Sequence, residues 1–294
     1  MKRRDALSAL AGAAVMGAVP VSAARATGAG EPMRAVQVRA GRLKQSVSRW
    51  CYGRSTLDEL CIAAKGMGLA AIDLLDEKDW LVPKQHGLVC AMANGFGTIP
   101  KGFNRPNQHD QLVADAERMI PAAAAAGVPN IVCFSGNRGG MGDAEGVGNC
   151  IVGLKRLAPL AEKHGVTLCL ELLNSKVDHK DYQADSTAFG AAVVKGVGSP
   201  RVKLLFDIYH MQIMEGNVID TIKANLPYIG HFHTGGVPGR NEIDESQELY
   251  YPAIMKAILA LGYKGYVAQE FIPSSRNKDQ QLAALEKAVQ ICDI

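Results

Sequence analysis

The chain has no CxxC pair and no zinc-ribbon spacing, although it carries seven cysteines among its 294 residues. An odd count without paired spacing argues against a disulfide framework and a thiolate zinc centre. Cys90, Cys133 and Cys169 sit inside apolar runs, where a thiol acts as a small hydrophobe, so the cysteines are read as core thiols. A large excess of positive or negative residues is lacking as well. The 32 basic and 29 acidic residues leave a net +3 with no concentrated basic footprint, which disfavours a nucleic-acid partner. There is no GxxxxGK phosphate loop, and Ser135 to Gly140 lack the spacing and context of a dinucleotide fingerprint. The apolar stretch within the first thirty residues is too short and too rich in Ala and Gly to make a convincing membrane anchor. A small-molecule substrate remains.

What is present begins with a leader. Residues 1–30 open on basic residues, continue through an alanine-rich apolar middle, and offer small-residue cleavage options at Ala24-Arg25-Ala26 or Val21-Ser22-Ala23. Arg3-Arg4, followed by Asp5, Ala6 and Leu7, resembles a bacterial twin-arginine signal; an ordinary Sec signal is the alternative. The expectation is an exported protein, periplasmic by the twin-arginine route.

Residues 31–294 suit one (β/α)₈ TIM barrel, an architecture of about 250 residues. A hydrophobic content of 48% is enough to fill its core. Strand-like and helix-like patterns alternate with no evident linker. KQSVSRW, LAAIDLL, LVCAMAN, VPNIVCF, VTLCLEL, RVKLLFD, YIGHFHT and GYVAQEF are the strand candidates. Helices are expected to start near Thr56, Glu77, Asn107, Asp143, Asp185, Val218, Leu249 and Asn277. Two glycine-rich loops, FGTIPKGFNRPNQ and SGNRGGMGDAEG, follow the third and fourth strands and are either lids or plain connections.

Four acceptor side chains close the last four strands: Glu171, Asp207, His233 and Glu270. In a parallel barrel all carboxyl ends reach one rim, and adjacent strands lie about 4.8 Å apart. Three carboxylates and an imidazole could therefore converge on one divalent cation, manganese, magnesium, cobalt or zinc. The alternative is a salt-bridge network with Arg240 or Lys176. Arg240 could instead pair locally with Glu242, Asp244 or Glu245. His231 is assigned to the helical shell and His179 to a solvated loop. Trp50 and Phe96 are candidates for the pocket wall.

The strand-end set occurs with Asp207-Ile208-Tyr209-His210, Gly230-His231-Phe232-His233, Pro238-Gly239-Arg240, Leu170-Glu171-Leu172-Leu173-Asn174 and Glu270-Phe271-Ile272-Pro273. Together these segments resemble the xylose isomerase-like barrels, and within them the hydroxypyruvate isomerase family. The resemblance implies that Glu171, Asp207, His233 and Glu270 bind the metal, that Glu171 and Glu270 also move protons, and that His210 and Arg240 touch substrate. One departure bears on the substrate: hydroxypyruvate isomerases commonly carry Gln where this chain has His233, and the related ketose epimerases carry His.

The leading expectation is a metal-dependent isomerase that moves a proton through an enediolate, interconverting hydroxypyruvate and tartronate semialdehyde or a similar pair. The other enzyme readings are a ketose epimerase and a keto-sugar or keto-inositol lyase. A nuclease on a related barrel is disfavoured, since three-metal sites need more histidines than these strand ends offer. The non-enzyme reading is an exported sugar-binding barrel. A homo-oligomer is left open.

Overall fold

The computed structural model describes residues 40–294, and the expected leader lies outside the described residues. Eight parallel strands close on themselves in sequence order. They are β1 (Lys44–Ser48), β2 (Ala71–Leu75), β3 (Val89–Ala93), β4 (Asn130–Cys133), β5 (Thr167–Leu172), β6 (Val202–Asp207), β7 (Ile229–Thr234) and β8 (Tyr266–Gln269). Pairing of Lys44 with Tyr266 and of Val47 with Gln269 shuts the barrel between β1 and β8. Each strand lies within the segment expected from its apolar run, because a strand covered on both faces reads as a continuous hydrophobic stretch.

The principal helices are α1 (Leu57–Gly66), α2 (Val82–Gln85), α3 (His109–Ala126), α4 (Asp143–His164), α5 (Thr187–Val197), α6 (Ile208–Met214), α7 (Val218–Asn225), α8 (Tyr251–Ala260) and α9 (Lys278–Cys292). Their boundaries follow local chemistry. Thr56 and Glu59 cap the start of α1 reciprocally, Thr56 Oγ1 accepting from Glu59 N and Glu59 Oε2 from Thr56 N. Gly127, at φ 75°, ends α3 in the left-handed conformation that glycine adopts without a Cβ clash. The region around Glu77 is a 3-10 turn followed by the short α2. The sequence pattern missed α6, which begins directly after β6 with no intervening loop. Asp207 caps it by accepting from His210 N at 3.1 Å.

Inside the barrel, Met92, Val132, Cys169 and Leu205 form an apolar layer separate from the larger core between strands and helices. Two residues further along their strands stand Glu171 and Asp207, on the same inward face. β2 breaks this alternation. Its register against β3 shifts on both sides of Asp73, and Leu74 takes a left-handed φ of 57°. Such a bulge re-aims side chains, and here Leu74 packs against the inner layer beside Phe134. All seven cysteines are buried and free, consistent with core thiols.

Candidate active site

The strand ends bring Glu171, Asp207, His233 and Glu270 together, with one ligand atom from each lying within 4.8 Å of the others, all buried. Glu171 is the fifth residue of β5, Asp207 ends β6 and His233 is the fifth residue of β7. Glu270 follows β8 directly, its N–H donating to Thr234 O at 3.0 Å and so holding the chain in register past the strand.

Two cationic groups enter the acid cluster. His233 Nδ1 is 2.7 Å from Glu270 Oε2 and 3.8 Å from Glu171 Oε1. Arg240 Nη2 donates to Glu270 Oε2 at 2.6 Å and to Asp207 Oδ2 at 3.3 Å. The guanidinium lies over the rings of Trp50 and Tyr209, at 5.2 and 5.3 Å from their centroids. Arg240 is thus committed to the rim and does not pair locally with Glu242, Asp244 or Glu245. Lys176 is absent from the cluster, donating instead to the carbonyls of Ile213 and Met214.

The two glutamates are held differently. Trp50 Nε1 donates to Glu270 Oε1 at 2.7 Å, so both Glu270 oxygens are engaged. Among the described residues no side chain donates a hydrogen bond to the Glu171 carboxylate. Burial, reinforced by the charge of Glu270, pushes Glu171 from its ordinary 4.5 up to about 8. Burial also pushes Asp207 up to about 6, against the pull of Arg240. For Glu270 burial acts in the same direction, but His233 and Arg240 outweigh it and hold the carboxyl well below its ordinary value. Burial opposes charge on His233, yet Glu270 and a hydrogen-bonding influence from Asp73 raise its imidazole well above the usual range.

These residues fit a divalent cation. The set is oxygen-rich with one imidazole, and Arg240 Nη2 already places positive charge between Asp207 and Glu270. Glu171, Asp207, Glu270 and His233 Nδ1 would be its ligands.

Beside the cluster opens a cavity of about 470 Å³, walled by Trp50, Leu74, Ile99, Phe134, His179 and Arg240 among others. Trp50 is therefore a wall residue as expected, although it belongs to a 3-10 turn after β1 rather than to the strand. Phe96 is not part of the wall; it is buried against Phe103. Gly97, Thr98 and Ile99 bring the first glycine-rich loop to the cavity, next to Gly95 just before it.

Two histidines depart from their sequence assignments. His179 lines the cavity and packs on His210 with ring centroids 5.3 Å apart, so it is not a solvated loop residue. His231 faces the barrel interior, not the helical shell. It lies two residues from His233 on β7, and residues so spaced share a face of a strand; the rings stand 5.1 Å apart. His210 is fully buried: Asn174 Nδ2 lies 2.7 Å from its Nδ1, and its Nε2 lies 3.7 Å from Asp207 Oδ2. Burial and the charge of Arg240 keep it well below the usual imidazole value.

A closed parallel barrel with its acidic cluster at the carboxyl ends of the strands places the molecule among the (β/α)₈ barrels that build sites at that rim. The chain belongs to the xylose isomerase-like TIM barrel family, whose sequence pattern matches residues 83–290. It is 32% identical over 162 residues to a human protein named putative hydroxypyruvate isomerase, a match covering 53% of this chain and 58% of that one. It is 34% identical over 124 residues to a D-psicose 3-epimerase of Agrobacterium fabrum, covering 41% of this chain and 40% of the relative. The chain thus spans about half the length of the curated relatives it matches. Among solved structures, an AP endonuclease family 2 protein from Brucella melitensis superposes with a TM-score of 0.73 at 22% identity, covering 81% of this chain and 96% of that one. That likeness bears on the fold.

Proposed function

We propose that this protein is a metal-dependent isomerase of small hydroxy-carbonyl compounds, acting through an enediolate in the manner of hydroxypyruvate isomerase. The observation that carries this reading is the contrast between two glutamates at one buried site. Glu270 is pinned by Trp50, His233 and Arg240, whereas the Glu171 carboxylate is free of side-chain donors among the described residues. Groups in one site whose environments drive their proton affinities apart are suited to acid and base roles. Curated relatives named as an isomerase and an epimerase support the same chemistry.

In this reading Glu171 exchanges a proton with the substrate carbon facing it, and Glu270 carries the second transfer from its fixed position. A bound divalent ion supplies charge neutralisation at the carbonyl and hydroxyl oxygens. Arg240 offers guanidinium donors to a substrate carboxylate or hydroxyl, stiffened by the flanking rings of Trp50 and Tyr209. Trp50, Phe134 and Leu74 keep bulk water from the reacting carbon.

A second reading, epimerisation of a ketose, is favoured by His233 standing where the resemblance places the epimerase histidine. The two differ in where the second glutamate returns the proton: to the adjacent carbon or to the opposite face of the same carbon. The test is an activity screen with added Mn²⁺, Mg²⁺, Co²⁺ or Zn²⁺ across hydroxypyruvate, tartronate semialdehyde, ketohexoses and keto-inositols. An aldose–ketose or hydroxy-acid shift supports isomerisation, inversion at one carbon supports epimerisation, loss of water supports the lyase reading, and binding without turnover on the whole panel refutes the enzymatic reading. We further propose that the chain acts after export, on the basis of Arg3-Arg4 and the apolar leader.

A further inference from the structure

Beneath the acid cluster lies a polar group that the proposed chemistry does not use. Asp73 on β2 and His231 on β7 are both fully buried. Strands β2 and β7 are not neighbours, so their contact passes through the barrel interior. His231 pairs in register with Leu205, which places it at the level of the apolar layer of Met92, Val132, Cys169 and Leu205, one step below His233. His231 Nε2 stands 2.5 Å from Asp73 Oδ2, yet the contact is not aligned as a hydrogen bond. Both Asp73 oxygens, both His231 nitrogens and His233 Nε2 lack a hydrogen-bond partner.

An apolar pair would fill this layer at no electrostatic cost, because replacing a buried ionic pair by hydrophobic residues is often neutral or stabilising. The backbone is strained at the same place. Leu74 sits at φ 57°, a left-handed conformation unfavourable for a branched side chain, within the β2 bulge. A buried carboxylate with no aligned hydrogen bond, beside a strained bulge, calls for a role that outweighs both costs.

We propose that Asp73, braced by His231, is a positioning residue for His233: it accepts the Nε2–H of that imidazole and so fixes the orientation of the ring, with Nδ1 aimed at the cation. This inference rests on the metal-dependent reading above. The two nitrogens of His233 face opposite ways. Nδ1 faces Glu270 and Glu171, and Nε2 faces Asp73 Oδ2 at 3.6 Å. That separation is about 0.6 Å beyond an ordinary N–H···O bond. Histidines that bind metals through one nitrogen characteristically donate the other N–H to a carboxylate or carbonyl, which fixes tautomer and orientation.

The experiment uses the full chain stripped of metal and titrated with Zn²⁺ alone against a competing chelator, comparing wild type with Asp73→Leu. A positioning role predicts a Zn²⁺ Kd weaker by about 10- to 100-fold at one ion per chain, while thermal stability stays level or rises as the buried carboxylate is removed. A purely structural Asp73 predicts the opposite pairing, with lower stability and unchanged affinity. Long-range ¹H–¹⁵N NMR of the Zn²⁺-bound wild type needs no substitution and should show His233 protonated at Nε2. The proposal is overturned by an unchanged Kd in the folded variant, or by His233 protonated at Nδ1. It is also overturned by a second Zn²⁺ per wild-type chain that disappears in Asp73→Leu, which would make the cluster a metal site of its own. A wild type that binds no Zn²⁺, Mn²⁺ or Mg²⁺ overturns the metal reading itself, a result distinct from these.

Discussion

Replacing Glu171 by Gln should stabilise the metal-free protein, and the gain should depend on pH. The wild-type carboxyl is 6% exposed, shares its pocket with Glu270 and Asp207, and is pushed from 4.5 up to about 8. Between those values the folded chain holds a proton that the unfolded chain has released. Stability therefore falls as pH rises through this window, at about 1.4 kcal/mol per pH unit. A carboxyl lifted that far costs at most about 5 kcal/mol by pH 8 to 9, and nothing below about pH 4.5. Gln at this position cannot ionise. The variant should match wild type near pH 4.5 and melt higher at pH 9, by up to about 10 to 20 °C at the roughly 2 to 4 °C per kcal/mol of a domain this size. The assay is thermal or urea unfolding of both chains in chelator at pH 4.5, 6.5 and 9. Saturating metal should reduce the difference, because a cation in the cluster would favour the ionised carboxylate. A difference that does not vary with pH, or a variant less stable than wild type at pH 9, would refute the reasoning.

Three further outcomes follow from the same geometry. Asp207→Ala should fold but lose its cation by elemental analysis; it also loses the cap on α6, worth about 1 kcal/mol in unfolding experiments. Trp50→Phe deletes the N–H held by Glu270 Oε1 and should lower kcat on the substrate found by the screen about tenfold or more, as expected for a charge-assisted hydrogen bond. It should leave the melting temperature nearly unchanged, because Trp50 is 47% exposed. Lysine at both Arg3 and Arg4 should leave the precursor in the cytoplasm, as seen by fractionation and immunoblot; normal export of that variant would contradict the twin-arginine assignment.

The strands were legible because buried parallel strands write themselves as apolar runs, and the cluster because each of its members stands at or next to the end of such a run. Less legible were features that depend on strands distant in sequence. Asp73 sits within LAAIDLL as an ordinary interruption, and only closure of the barrel brings it to β7. The bulge at Leu74 carries no glycine to announce it. His231 was recoverable from strand periodicity alone, since it shares the face of His233. His179 was not, because its position depends on how a loop after β5 folds back onto His210. Helix α6 escaped because Asp207 is both the last residue of a strand and the cap of the helix that follows.

Transfer of a proton by Glu171 and Glu270 is tested most directly by running the reaction in deuterated solvent with wild type, Glu171→Gln and Glu270→Gln, each checked for bound metal. Gln keeps an oxygen that can hold the cation but cannot accept a proton near neutral pH. Wild type should incorporate deuterium at the carbon that gains the hydrogen. Each variant should retain substantial metal and lose on the order of 10²-fold or more in turnover, and at least one should cease to exchange label. Near wild-type turnover by both metal-loaded variants on the true substrate would contradict the account, leaving the cluster as a Lewis-acid or structural site.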